Sequence, residues 1–201
     1  MSTKAAQEIQ PDKKSATLLV SEFLIKNRKV ILGSLIAVLA AFAVFIAFTA
    51  ISDSRSAKVI AAVETLQADW NELRGGEDKA AITAKEDEII STLKDLADGN
   101  KGSVAGGRAY MTVAEVYFQR KDWKGAKEAW LAAASAGSKS YIAGLCYFNA
   151  AVCADELGSQ DEAVELFTKA SELENFGMKP RTLFNIGRIE EQRSRKEAAL
   201  E

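Results

Sequence analysis

GRAYMTVAEVYFQRKDWKGAKEAWLAAASAG, residues 107–137, returns in altered form as GLCYFNAAVCADELGSQDEAVELFTKASELE, residues 144–174. A third version, PRTLFNIGRIEEQRSRKEAALE, begins at Pro180. The starts are 37 and 36 residues apart. Self-similarity at such a period outranks any local motif, because it marks stacked units that bury a shared core. In the first two copies, apolar residues recur at helical spacing on both sides of a short polar break. The breaks are Arg120-Lys121-Asp122 and Leu157-Gly158-Ser159, so each copy predicts two antiparallel helices. Helices that meet closely need small residues where their backbones approach and large ones in the flanking gaps. Both types recur in register. A large residue at the fourth position is Tyr110, Tyr147 and Leu183, and the pairs at seven and eight are Val113-Ala114, Ala150-Ala151 and Ile186-Gly187. The small residue at twenty is Ala126, Ala163 and Ala199, followed by Trp130 with Ala133 and Phe167 with Ala170. The fold class expected is all-α.

This pattern resembles the tetratricopeptide repeat, a helix–turn–helix of about 34 residues. Two departures stand out. The tyrosine at position eleven occurs only as Tyr117, with Ala154 and Glu190 in the other units, and the proline near the repeat end is missing from the first two. The resemblance implies an α-solenoid over 107–201, with two full repeats and a third that stops inside its second helix at Glu201. A solenoid end needs a polar cap, and none is legible there. The chain is then expected either to be a fragment or to pair that end with something.

The resemblance also implies a concave groove lined by the first helix of each unit, at positions two, five, nine, twelve and thirteen. Those positions are Arg108, Met111, Glu115, Phe118 and Gln119 in the first unit, and Leu145, Phe148, Val152, Asp155 and Glu156 in the second. The third supplies Arg181, Phe184, Arg188, Glu191 and Gln192. The carboxylate-clamp subtype needs basic and asparagine side chains here. Position five instead reads Met, Phe, Phe and position nine Glu, Val, Arg, so a carboxylate terminus is not the expected ligand. Met111, Phe118, Phe148 and Phe184 suit an apolar or amphipathic segment of a protein partner. Phe148 and Phe184 are equally consistent with packing against the hairpin at 52–98.

Upstream, VILGSLIAVLAAFAVFIAFTAI (Val30–Ile51) runs 22 residues without a charge, and its only hydroxyls are Ser34 and Thr49. As a helix it covers about 33 Å, matching a hydrocarbon core of roughly 30 Å. One transmembrane span is expected over 30–51. The preceding TLLVSEFLIKN reads as an interfacial helix or as the first turns of the span. The small-residue series Gly33, Ala37, Ala41 is common by chance in alanine-rich spans and predicts no dimer. Lys26, Arg28 and Lys29 abut the N-terminal end, against Arg55 and Lys58 beyond the other. The positive-inside rule then puts residues 1–29 in the cytoplasm and 52–201 across the membrane. An uncleaved anchor is favoured, since 22 residues exceed a signal peptide's usual apolar region. The alternative is a cleaved, secreted periplasmic adaptor starting at Asp53, because Ala50 and Ser52 offer small residues at suitable spacing.

Between span and repeats, Val59, Val63, Leu66, Trp70 and Leu73 form one apolar helical stripe. Arg74-Gly75-Gly76 ends it, with glycine available for a left-handed cap. A second helix follows from about Asp78 to Ala97, burying Ile82, Ile89, Ile90, Leu93 and Leu96. This hairpin at 52–98 is expected to be a helical spacer or a divergent repeat.

Composition removes several function classes. Six basic against three acidic residues give positions 1–29 a charge of +3, leaving −5 on 52–201 of the overall −2. An acidic domain is a poor nucleic-acid binder. Histidine is absent, which removes His-based nucleophilic sites and His-ligated metals. Cys146 and Cys153 stand about 10.5 Å apart along one helix, too far for a disulfide, and read as small buried hydrophobes. GNKGS (99–103) lacks the order of a phosphate loop. Asp155 and Glu156 are adjacent on a helix and point apart. No enzyme, cofactor or metal is expected. The layout of tail, span and repeat domain is similar to the YfgM-like ancillary subunits of the bacterial secretion translocon. That likeness implies an inner-membrane scaffold beside the translocon, handing chains to periplasmic chaperones.

Overall fold

The computed structural model describes residues 16–137, 141–174 and 176–198. Ala199 and Glu201, and the N-terminal tail to residue 15, lie outside them. Among the described residues seven helices follow in order: α1 Ala16–Leu73, α2 Lys79–Asp98, α3 Val104–Gln119, α4 Trp123–Ala136, α5 Ile142–Glu156, α6 Gln160–Glu172 and α7 Lys179–Ala198. Among the described residues there is no strand, in keeping with an all-α helical-repeat fold. The chain divides into two units, residues 1–52 and 53–201.

In the first unit, every large apolar residue from Leu18 to Ile51 is exposed. Thr17–Leu73 is long and apolar enough to cross a membrane. Within the charge-free stretch 30–51, both hydroxyls bond back to the helix. Ser34 Oγ donates to the Ile31 carbonyl at 2.8 Å and Thr49 Oγ1 to that of Ile46 at 2.9 Å. A helix surrounded by hydrocarbon requires such internal satisfaction. The segment from Thr17 belongs to the same helix and is no separate interfacial element.

The second unit is built from helix pairs. Sequential packing of α2 on α3, α3 on α4, α4 on α5, α5 on α6 and α6 on α7 gives the stacked order that the repeat predicts. The small residues fall where backbones meet. Ala114, Ala126, Ala133, Ala150, Ala151, Ala163 and Ala170 are all fully buried, with Phe167 filling the gap between α5 and α6. Gly144 is required by close approach, since a Cβ there would stand 2.6 Å from the Phe176 ring. The starts of α2, α3 and α4 are capped by side chains. The Asp78 carboxylate accepts from the amides of Ala80 and Ala81, Ser103 Oγ from Gly106, and Asp122 from Gly125, each satisfying an N–H that lacks an intrahelical acceptor.

The α1–α2 hairpin joins this stack. Val59, Val63 and Trp70 are buried and Leu66 and Leu73 are half-buried. Trp70 Nε1 donates to the buried Glu86 at 2.8 Å. Arg120, in the α3–α4 turn, holds the other Glu86 oxygen at 2.6 Å, Asp87 at 2.6 Å and the Thr83 carbonyl at 2.9 Å. Two local expectations differ. Neither Gly75 nor Gly76 takes a left-handed φ, so the helix ends without a glycine cap of that kind. The turn expected in the third unit is absent as well, since α7 runs unbroken to Ala198.

Candidate functional site

The first helices of the units, α3, α5 and α7, carry the predicted groove residues, and the structure sorts these into three groups. One group is brought together. Glu115, Phe118 and Gln119 of α3 line a cleft of about 170 Å³ with Trp130 of α4 and Asn149 of α5. Phe118 packs edge-on against Trp123, ring centroids 4.9 Å apart. Gln119 is exposed and Glu115 is half-buried. Burial pushes the Glu115 carboxyl above its ordinary pKa, and it accepts from Gln67 Nε2 at 3.2 Å.

A second group is taken up by neighbours. Arg108 pairs with Glu64 at 3.5 Å, while Met111, Leu145 and Val152 pack partly against the core. Arg188 of α7 pairs with Asp155 of α5, so these two tie adjacent helices together. Phe148 requires a correction. It is buried, with its ring 5.3 Å from Phe167 and 6.2 Å from Phe176, and belongs neither to an open groove nor to a contact with the hairpin. It sits on α5, which is covered by α4 on one side and α6 on the other. The Arg181 guanidinium lies over its ring at 5.5 Å. The third group stands apart from the cleft. Phe184 is 70% exposed, and Glu156, Glu191 and Gln192 are also exposed.

Two cleft residues escape the register argument. Trp130 reads as a packing residue, and it is 3% exposed, yet its indole Nε1–H has no acceptor among the described residues. A buried donor left unmade costs roughly 1–3 kcal/mol, a cost that Trp130 carries inside the wall of the cleft. Asn149 adds an amide that both donates and accepts. Its signal in the sequence is an amide inside the otherwise apolar run GLCYFNAAV (144–152). An apolar wall at Phe118 and amides at Gln119 and Asn149 together suit a segment of polypeptide. Cys146 and Cys153 take no part. Both are fully buried, and burial pushes their thiols up to about 12, the condition of inert packing residues.

Residues 21–179 match a family model described as tetratricopeptide repeat-like domain. A TPR repeat-containing protein of Treponema pallidum (strain Nichols) is 34% identical over 194 residues, spanning 90% of this chain and 81% of that relative. No solved structure matches. Repeats of this type serve as protein-interaction scaffolds, typically without catalysis, and this chain belongs to the tetratricopeptide repeat-like family.

Proposed function

We propose that this protein is a non-enzymatic adaptor, anchored in a membrane by residues 30–51, that holds a segment of a partner protein in the cleft between α3 and α5. The convergence of Phe118, Gln119 and Asn149 from two first helices on one cleft carries the reading. The ligand is an apolar or amphipathic segment, with Phe118 against its apolar part and Gln119 and Asn149 on its polar groups. Glu115 lines the same cleft, Arg108 and Met111 lie further towards the start of α3, and Phe184 is exposed on α7 apart from it. Variants Gln119→Ala and Asn149→Ala test it. Pull-downs from crosslinked membranes are expected to lose partners that wild type retains, with helicity unchanged by circular dichroism. Recovery of the same partners in the same yield would contradict the cleft.

One observation favours a retained anchor over cleavage before Asp53. The family match starts at residue 21, so it takes in the apolar helix along with the repeats. The +3 tail and −5 domain favour a cytoplasmic N-terminus and an extracytoplasmic repeat domain in a bacterial inner membrane. Work beside the secretion translocon, passing chains to periplasmic chaperones, fits that layout. N-terminal sequencing of the mature protein decides the anchor, since a start at Asp53 would contradict it.

A further inference from the structure

A second cavity, sharing no residue with the cleft, opens between the end of α1 and α2. Its volume is about 650 Å³, within the range of pockets that enclose ligands. Leu66, Leu73, Ala81, Ile82 and Ile89 supply its apolar surface. Its charged lining is lopsided, with Asp69, Glu72, Glu77, Asp78 and Glu88 against Lys85 alone. Lys85 is already engaged by Glu88 at 2.9 Å. Asp78 is engaged as the cap of α2. Asp69, Glu72 and Glu77 have no cationic partner among the described residues. The nearby Arg74 is directed elsewhere, over the Trp70 ring at 5.1 Å and to Gln119 at 3.4 Å.

We infer that this groove is a second docking surface, and that its occupant is a cationic amphipathic helix of a partner protein. An apolar ligand alone would cover the floor and leave the unpaired carboxylates without a counter-charge. Anionic lipid or nucleic acid would meet repulsion. A helix with large aliphatic residues on one face, flanked by lysine or arginine, satisfies floor and rim together. Such an interaction is steered by charge and weakens with salt.

The test uses the full chain in nanodiscs of neutral phospholipid, with empty nanodiscs as the blank. A labelled helical peptide of leucine and lysine, its leucine–glutamate counterpart and a scrambled leucine–lysine peptide are titrated in turn. Glu72→Lys with Glu77→Lys reverses the rim at two exposed positions, and unchanged circular dichroism confirms the fold. The expected result is saturable binding of the amphipathic cationic peptide, weakened at least tenfold by the reversal and by added salt. The leucine–glutamate peptide should bind only the reversed variant. Equal binding by both proteins, or equal binding of the scrambled peptide, overturns the proposal. Sedimentation showing self-association lost on reversal would instead make a second copy the occupant. Competition by a peptide of residues 1–15 would make it the chain's own tail. Either outcome also overturns the proposal.

Discussion

At the scale of single residues, burial holds the Glu115 carboxyl above its ordinary pKa, so its folded value exceeds its unfolded one. The contribution of a group raised in this way is fully present below the unfolded pKa and is lost as pH rises through the folded value. Glu115→Gln keeps an acceptor for Gln67 and cannot ionise. It should match wild type in urea unfolding near pH ~4 and exceed it near pH ~7, whereas identical curves at both would contradict the burial argument. Trp130→Phe removes the unpaired N–H but leaves a cavity at a buried site, so urea unfolding should show a net loss of about 1 kcal/mol or more; a gain would contradict tight packing there. Glu115, Phe118 and Gln119 were legible from the repeat register. Asn149 and Trp130 were not, because counting positions assigns a face without showing which buried donor lacks an acceptor. Phe148 misled for a related reason: the register gives it the same place as Met111, but α5 is enclosed by helices that bury its ring.

At the scale of elements, the two full repeats solve one turn with different residues. Lys121 has φ 59° and Gly158 φ 75°, each the second residue of its helix-to-helix turn. The left-handed region costs a residue with a Cβ about 1 kcal/mol or somewhat more, and glycine almost nothing. Lys121→Gly should therefore stabilise by about 1 kcal/mol, and Gly158→Ala should destabilise by a similar amount. Denaturant midpoints check both, and changes of the opposite sign would contradict the turn geometry. The next turn contact is the Arg120 clamp. Arg120→Met leaves the buried Glu86 with the Trp70 indole as its donor among the described residues, and a loss of about 2–3 kcal/mol is expected. A change below about 0.5 kcal/mol would mean that the hairpin is held without it. Helices α3 to α6 were legible because alternating large and small residues and polar turns mark both faces and both ends. The break expected in the third unit failed on physical grounds. Ser194 stands where Lys121 and Gly158 turn the chain, amid Glu, Gln, Arg and Lys that favour continued helix. Local propensity therefore prevails over the register of the repeat.

At the scale of the whole molecule, the acidic helical-repeat unit and the exposed apolar helix are parts of one chain. If the apolar helix is a retained anchor, the protein should stay in the pellet under alkaline carbonate extraction, and release into the supernatant would contradict it. The most direct measurement places a photoreactive residue at Gln119, on the exposed lip of the cleft, and a control at Lys169, exposed on α6. After irradiation of intact cells, membranes are recovered and adducts identified. The account predicts discrete protein adducts from position 119 that are absent from position 169 and lost on Asn149→Ala. Adducts that are the same from both positions, or that survive Asn149→Ala, would contradict it.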